Sequence, residues 1–228
     1  MKMPKPVPAA PYLSPWLTGA AYYLGKYLLL PLYFGNITVI GQERIPSEGA
    51  LLVTPTHRSR WDAVLVPHSV GWLVSGRHLY FMVAAEEVRG FQGWWIRRLG
   101  GFPVQREKPG REALTQAVTL LSQGNSLVMF PEGKISRDGT LLPLKPGPVH
   151  LALQAVQQNP ELVLHLLPVY LRYSHPYQPW RTQVAIHIGD PLRVLPPTNQ
   201  PLRQATLALT ATLRESLLAL GERLHHLC

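Results

Sequence analysis

Two short segments of this chain carry residue types suited to proton transfer. The first, Thr54-Pro55-Thr56-His57-Arg58-Ser59-Arg60-Trp61-Asp62, places a histidine five positions before an aspartate. On one unbroken helix that spacing leaves the two side chains about 140° apart, too far round to meet. They do meet if His57 lies in a turn before a helix and Asp62 in the helix's first turns. Asp62 then accepts one ring N–H, fixes the tautomer and steadies the imidazolium, while the other nitrogen takes a proton as general base. This is the histidine–aspartate half of a hydrolase triad. The chain has no Gly-x-Ser-x-Gly elbow to supply a nucleophile, so the pair suits direct attack by a substrate hydroxyl. The competing reading has His57 capping a turn and Asp62 pairing with Arg58. The second segment, Phe130-Pro131-Glu132-Gly133, is far rarer by composition than the pair and gives it company.

Both segments directly follow runs that read as strands. Residues 50–54 are apolar and too short for a buried helix, and 126–130 run into Pro131. Further strands are expected at 37–40, 79–84, 102–104, 162–173 and 183–188. Helices are expected from Ser59 to Pro67 or beyond, and at 91–99, 111–121, 149–158 and 202–224. Strands alternating with helices predict an α/β fold, a single domain with a mostly parallel or mixed sheet covered by helices. In such sheets the chemistry collects in loops beyond the carboxyl ends of strands.

The 228 residues fit one domain. Twenty-two Lys and Arg against thirteen Asp and Glu leave a net charge of +9. That surplus favours anionic partners: a lipid headgroup surface, nucleic acid or a phosphorylated substrate. The basic residues do not gather in one tract, which argues against a nucleic-acid partner. The single cysteine, Cys228, allows no internal disulfide. No His-Glu-x-x-His and no paired Cys-x-x-Cys points to a metal.

The N-terminus is expected to be disordered over its Pro-rich first ten residues and helical from about 12 to 33. Between Pro6 and Gln42 the only charge is Lys26, among Tyr12, Trp16, Tyr22, Tyr23, Tyr27 and Tyr33. Pro15, Gly19, Gly25, Lys26 and Pro31 make it a poor transmembrane span. Aromatic rings beside a lysine prefer the headgroup level, so residues 1–35 are read as a membrane-associating start and 36–228 as the domain proper. The alternative is an amphipathic helix packed on the protein's own core. Phe91, Trp94, Trp95, Arg97 and Arg98 form a second apolar wedge with a cationic collar.

Four segments occur in a telling order. They are His57 with Asp62, Gly101-Phe102-Pro103-Val104-Gln105-Arg106, Phe130-Pro131-Glu132-Gly133, and Leu167-Pro168-Val169. In this the chain resembles the 1-acylglycerol-3-phosphate acyltransferases, the PlsC-like glycerolipid acyltransferases, from about Asn36 to Pro191. Lys145-Pro146-Gly147 is similar to the stretch after the third motif in that family. The resemblance implies an enzyme that moves a fatty acyl group from acyl-ACP or acyl-CoA to the sn-2 hydroxyl of lysophosphatidate, with no cofactor beyond that co-substrate. It implies His57 as general base and Asp62 as its orienter. Arg106, Glu132 and Gly133 would line the acceptor's glycerol-phosphate site with help from Lys134 and Ser136, while the motif around Pro168 supports the acyl side. Guanidinium binds phosphate bidentately, which suits Arg106. Glu132 would bind a glycerol hydroxyl or clamp Arg106. Lys108 and backbone N–H groups near His57 are candidate oxyanion donors. The sequence departs from the family at Thr56, where asparagine is frequent, and at Lys134-Ile135-Ser136, where Thr-Arg-Ser is common. Both departures bear on the choice of acceptor. The expected location is the cytoplasmic face of a membrane. The alternatives are another lysophospholipid as acceptor, a transacylase, or an inactive peripheral membrane-binding protein.

Overall fold

The strand that leads into His57 is buried on both sides, and the rest of the fold is built around it. The computed structural model describes residues 12–105 and 109–223. In β2 (Ala50–Pro55) every residue is buried. Alternate side chains of a strand point to opposite faces. Ala50 and Leu52 therefore enter one apolar cluster, and Leu51 and Val53 enter another. The first cluster lies under α6 (Arg111–Ser122), α7 (Gly147–Gln158) and α8 (Leu202–Arg223). The second lies under α2 (Leu30–Tyr33), the end of the helix that α1 (Pro15–Leu24) begins, and under α3 (Asp62–Val70). A strand covered on both faces needs a continuous apolar run, as this one has.

The remaining strands are β1 (Asn36–Ile40), β3 (Leu79–Ala84), β4 (Gly101–Val104), β5 (Ser126–Val128), β6 (Leu164–Tyr173), β7 (Gln183–Ile188) and β8 (Leu192–Val194). They form one eight-stranded sheet in the order β1-β7-β6-β2-β5-β3-β4, with β8 also on β6. Pairing is parallel except for β6 with β7 and β6 with β8, so the sheet is mixed. β2, β5 and β6 run side by side in the same direction, and their carboxyl ends open on one edge. The α/β expectation holds. β8 and α4 (Trp72–Ser75) were not expected, since three or four residues are too few to show a period.

The helix expected from Ser59 begins three residues later, at Asp62. The amides of Arg58 and Ser59 turn toward the Asp62 carboxylate and donate to it, which holds this segment as a turn ahead of the helix. The N-terminal helix runs from Pro15 to Tyr33 with a π-helical stretch at Gly25–Leu29. That wider turn lies just ahead of Pro31, which has no N–H to continue the regular ladder. Leu17, Gly25 and Leu30 face the protein, while Trp16, Tyr23, Leu24, Tyr27, Leu28 and Leu32 form an exposed stripe. The core-packed alternative is therefore true of one face and leaves the other uncovered. No described helix is long and apolar enough to cross a membrane.

Candidate active site

Past Pro55 the chain stays fastened to β6. Thr56 N donates to Val169 O at 2.9 Å, and its hydroxyl oxygen accepts from Leu171 N at 2.9 Å. His57 is thus held at the strand end, outside any helix, and its ring folds back to the first residue of α3. Nδ1 lies 2.9 Å from Asp62 Oδ2. The same oxygen accepts from Arg58 N at 2.6 Å and Ser59 N at 2.8 Å. Tyr173, the last residue of β6, donates its hydroxyl to Asp62 Oδ1 at 2.6 Å. A carboxylate that receives two amides and a phenol acts as acceptor toward the imidazole too. Nδ1 therefore carries the proton, and Nε2 is the basic nitrogen. Asp62 is fully buried while the His57 side chain is 20% exposed. The imidazole is reachable from solvent and its carboxylate partner is not. Burial, and next to it the Asp62 charge, push the Tyr173 hydroxyl well above its ordinary value, so it remains a donor.

Asp62 does not pair with the Arg58 guanidinium. That group goes to Glu132 in the loop after β5, with Arg58 Nη1 3.0 Å from both carboxylate oxygens. Glu132 Oε1 also accepts from His57 N at 2.8 Å, and Oε2 accepts from Leu142 N at 2.9 Å. The glutamate side chain has no exposure. With both oxygens engaged inside the protein, Glu132 clamps the His57 loop, and its partner is Arg58 where a glycerol hydroxyl or Arg106 had been expected. Ser136 is a second brace. Its N–H donates to His57 O at 2.8 Å, and its buried hydroxyl lies 2.7 Å from Asp138 Oδ1 and from Thr140 O. The Ser136 hydroxyl, followed by two groups of Thr140, holds the Asp138 carboxyl down at about 2. Phe130 stacks on the imidazole at 4.1 Å. Gly133 has φ +70°, and a β-carbon there would lie 2.7 Å from Lys145 Cε and 2.8 Å from Nζ. Lys134 is exposed. Arg106 and Lys108 fall outside the described residues.

Arg58 Nε and Nη2 are buried without a partner among the described residues. The arginine borders a cavity of about 450 Å³, lined also by Arg137, Tyr170, Arg172, Tyr173 and Gln178. Among the described residues no group of three or more His, Cys, Asp or Glu is placed to hold a metal ion. Tyr173, Arg58 as the partner of Glu132, and Gln178 were not legible in the sequence. Only the position of Tyr173 at a strand's carboxyl end could have singled it out.

A base held by a buried carboxylate, free on one nitrogen, removes a proton from a hydroxyl. The acyltransferase family model matches residues 36–172, more than half of the chain and the stretch that holds this arrangement. The chain belongs to that family. The acyltransferase is 25% identical over 204 residues to the 1-acyl-sn-glycerol-3-phosphate acyltransferase of Bacillus subtilis, covering 85% of this chain and 92% of that one. It is 34% identical over 110 residues to the Streptococcus pneumoniae protein of the same name, where the match covers 46% of this chain and 40% of that one. A glycerol-3-phosphate acyltransferase of Aeromonas hydrophila is 33% identical over 165 residues, or 67% of this chain and 20% of that protein. The crystal structure of PlsC from Thermotoga maritima shares the fold, with a TM-score of 0.70 and 24% identity over 92% of this chain and 80% of that one.

Proposed function

We propose that this acyltransferase moves a fatty acyl group from an acyl thioester, on acyl carrier protein or CoA, to the sn-2 hydroxyl of 1-acylglycerol-3-phosphate. The observation that carries this reading is the 2.9 Å contact between His57 Nδ1 and a buried Asp62. It leaves Nε2 to take the proton of an acceptor hydroxyl as that oxygen bonds to the thioester carbonyl carbon. The tetrahedral intermediate then collapses with cleavage of the C–S bond, and the imidazolium returns the proton to the departing sulfur. Asp62 steadies the imidazolium between the two transfers. Phosphatidate and a free thiol are the products.

The name shared by the Bacillus and Streptococcus relatives supports lysophosphatidate as acceptor. The Aeromonas match supports glycerol-3-phosphate as a second acceptor to test. The net charge of +9 suits either phosphate. Arg106, Gly133 and Lys134 remain the proposed headgroup contacts, because the polar side-chain atoms of Glu132 and Ser136 are engaged internally. An acyl chain of about fifteen methylenes gains roughly 12 kcal/mol by staying in an apolar phase, so the enzyme goes to its substrate. We place it at the cytoplasmic face of a membrane, resting on the exposed stripe of the N-terminal helix.

The test is an acyl-transfer assay with lysophosphatidate, glycerol-3-phosphate and neutral-headgroup lysolipids as acceptors and both thioesters as donors. Turnover is expected with a phosphate-bearing acceptor, and it should fall by about 10² or more in His57→Ala with lipid binding kept. Arg106→Ala is expected to erase the preference for phosphate. Equal transfer by wild type and His57→Ala would refute the mechanism, and indifference to headgroup would refute the acceptor.

A further inference from the structure

The segment between β6 and β7, residues 174–182, carries two aromatic side chains that the core does not use. Tyr177 is 73% exposed and Trp180 66%. Each has an arginine over its face, Arg137 5.9 Å from the Tyr177 ring and Arg181 5.6 Å from the Trp180 ring. The same pairing recurs along the N-terminal helix and beyond it. Lys26 lies 5.6 Å from the Tyr27 ring, and Arg98 4.0 Å from the Trp94 ring on α5 (Gly90–Arg98). These pieces are joined edge to edge. Ser14 N donates to Arg98 O at one end of the helix, and Trp180 Nε1 donates to Leu32 O at 3.0 Å at the other. A helix of that length spans about 28 Å. An exposed aromatic ring capped by a cation suits the boundary between acyl chains and anionic headgroups.

The inner side of the same segment reaches the catalytic loop. Tyr33 donates its hydroxyl to Gln178 O at 2.7 Å, and Arg181 N donates to Tyr33 O at 2.7 Å. Ser59 donates its hydroxyl to Gln178 Oε1 at 2.8 Å, while Ser59 N–H is one of the amides on Asp62. Trp61, which precedes α3, packs on Tyr33 with ring centroids 4.4 Å apart and the planes tilted by 34°. Gln178 and Arg181 have φ of 45° and 65°, in the left-handed region that side chains other than glycine's rarely adopt. Such strain survives only where surrounding contacts impose it, and here those contacts are the helix end and the catalytic loop.

We infer that residues 174–182 are a second lipid-contacting element, and that Gln178 ties engagement of an anionic membrane surface to the geometry of the His57–Asp62 loop. The lipid surface extends the membrane placement proposed above. Neither readout needs turnover, so failure here is separable from failure of the acyl-transfer reading.

The full chain is mixed with vesicles of phosphatidylcholine and phosphatidylglycerol in equal parts, and partition is measured by co-sedimentation. Tyr177→Ser/Trp180→Ser is expected to lower partition about tenfold or more, with far-UV circular dichroism unchanged. Amide hydrogen exchange at Arg58 and Ser59 is expected to slow when vesicles are added to wild type. In Gln178→Leu that slowing should vanish while partition stays at the wild-type level. Undiminished partition of the double variant would overturn the docking role. Equal slowing in Gln178→Leu would overturn the coupling. Binding to pure phosphatidylcholine as tight as to the mixture would overturn the anionic preference. A dimer in sedimentation velocity that the double substitution abolishes, without loss of partition, would assign this face to a second copy of the chain instead.

Discussion

Tyr173 and Asp62 lie 111 residues apart in sequence and 2.6 Å apart in space, the phenol donating to the carboxylate oxygen that faces away from His57. The strand end of β6 thereby completes the hydrogen bonding of a carboxylate on α3. Tyr173→Phe keeps the ring, which packs 6.3 Å from Phe34, and removes only the donor. A buried acceptor left short of a partner costs about 1–3 kcal/mol, so the melting temperature should fall modestly. Turnover should fall about tenfold while KM for both substrates stays within twofold, because the hydroxyl hydrogen that is lost is donated to Asp62. A change confined to KM would remove Tyr173 from this role.

Glu132 is the counter-charge of a guanidinium whose side chain is only 4% exposed. Glu132→Gln leaves that charge buried and loosens the bond to His57 N. A loss of about 3–5 kcal/mol is expected in urea denaturation. Arg58→Met combined with Glu132→Leu should recover much of that stability without recovering activity. Apolar residues replace the buried pair, whereas the amide of His57 still lacks its acceptor.

At Gly133 two costs coincide. Any side chain must adopt φ +70° and must also displace Lys145. Gly133→Ala is expected to cost about 1–2 kcal/mol from the backbone alone. Lys145→Ala in the same background should relieve the steric part only, and thermal melts of the single and double variants distinguish the two.

Acid should weaken the fold before it touches the carboxylates. Burial holds His68, His78, His165 and His187 below their ordinary value of 6.5. Their unfolded forms take up protons first as pH drops. The stabilisation is therefore complete above 6.5 and is lost as pH falls toward the lowered folded values. Melting temperatures recorded from about pH 8 to about pH 5 are expected to decline below about 6.5, with proton uptake on unfolding. A flat profile through that window would show that these rings take up protons equally in the folded and unfolded states.

Much of this site was legible from local sequence. The spacing of His57 and Asp62, a strand ending at Pro55 and a rare tetrapeptide after a second strand were enough to bring the imidazole to its carboxylate and both to the sheet edge that presents them. Glu132 was legible as a site residue, but its partner was not. Arg58 and Arg106 offer the same guanidinium at different distances along the chain, and only the packed loop shows that Arg58 Nη1 fills the carboxylate. Ser136 was likewise expected to face substrate, and is turned inward to brace His57 O through its amide.

Residue type and periodicity determined the alternation of strands and helices, the chemistry of the imidazole and the apolar stripe of the N-terminal helix, because each depends on neighbours within a few positions. Contacts between remote segments were decided by the sheet. Parallel pairing of β2 with β5 and β6 brings residues 57, 132 and 173 to one edge, and the return of the chain after β6 sets Gln178 against Ser59. No local pattern encodes which strand lies beside which, since that choice is made by burying both faces of the sheet at once.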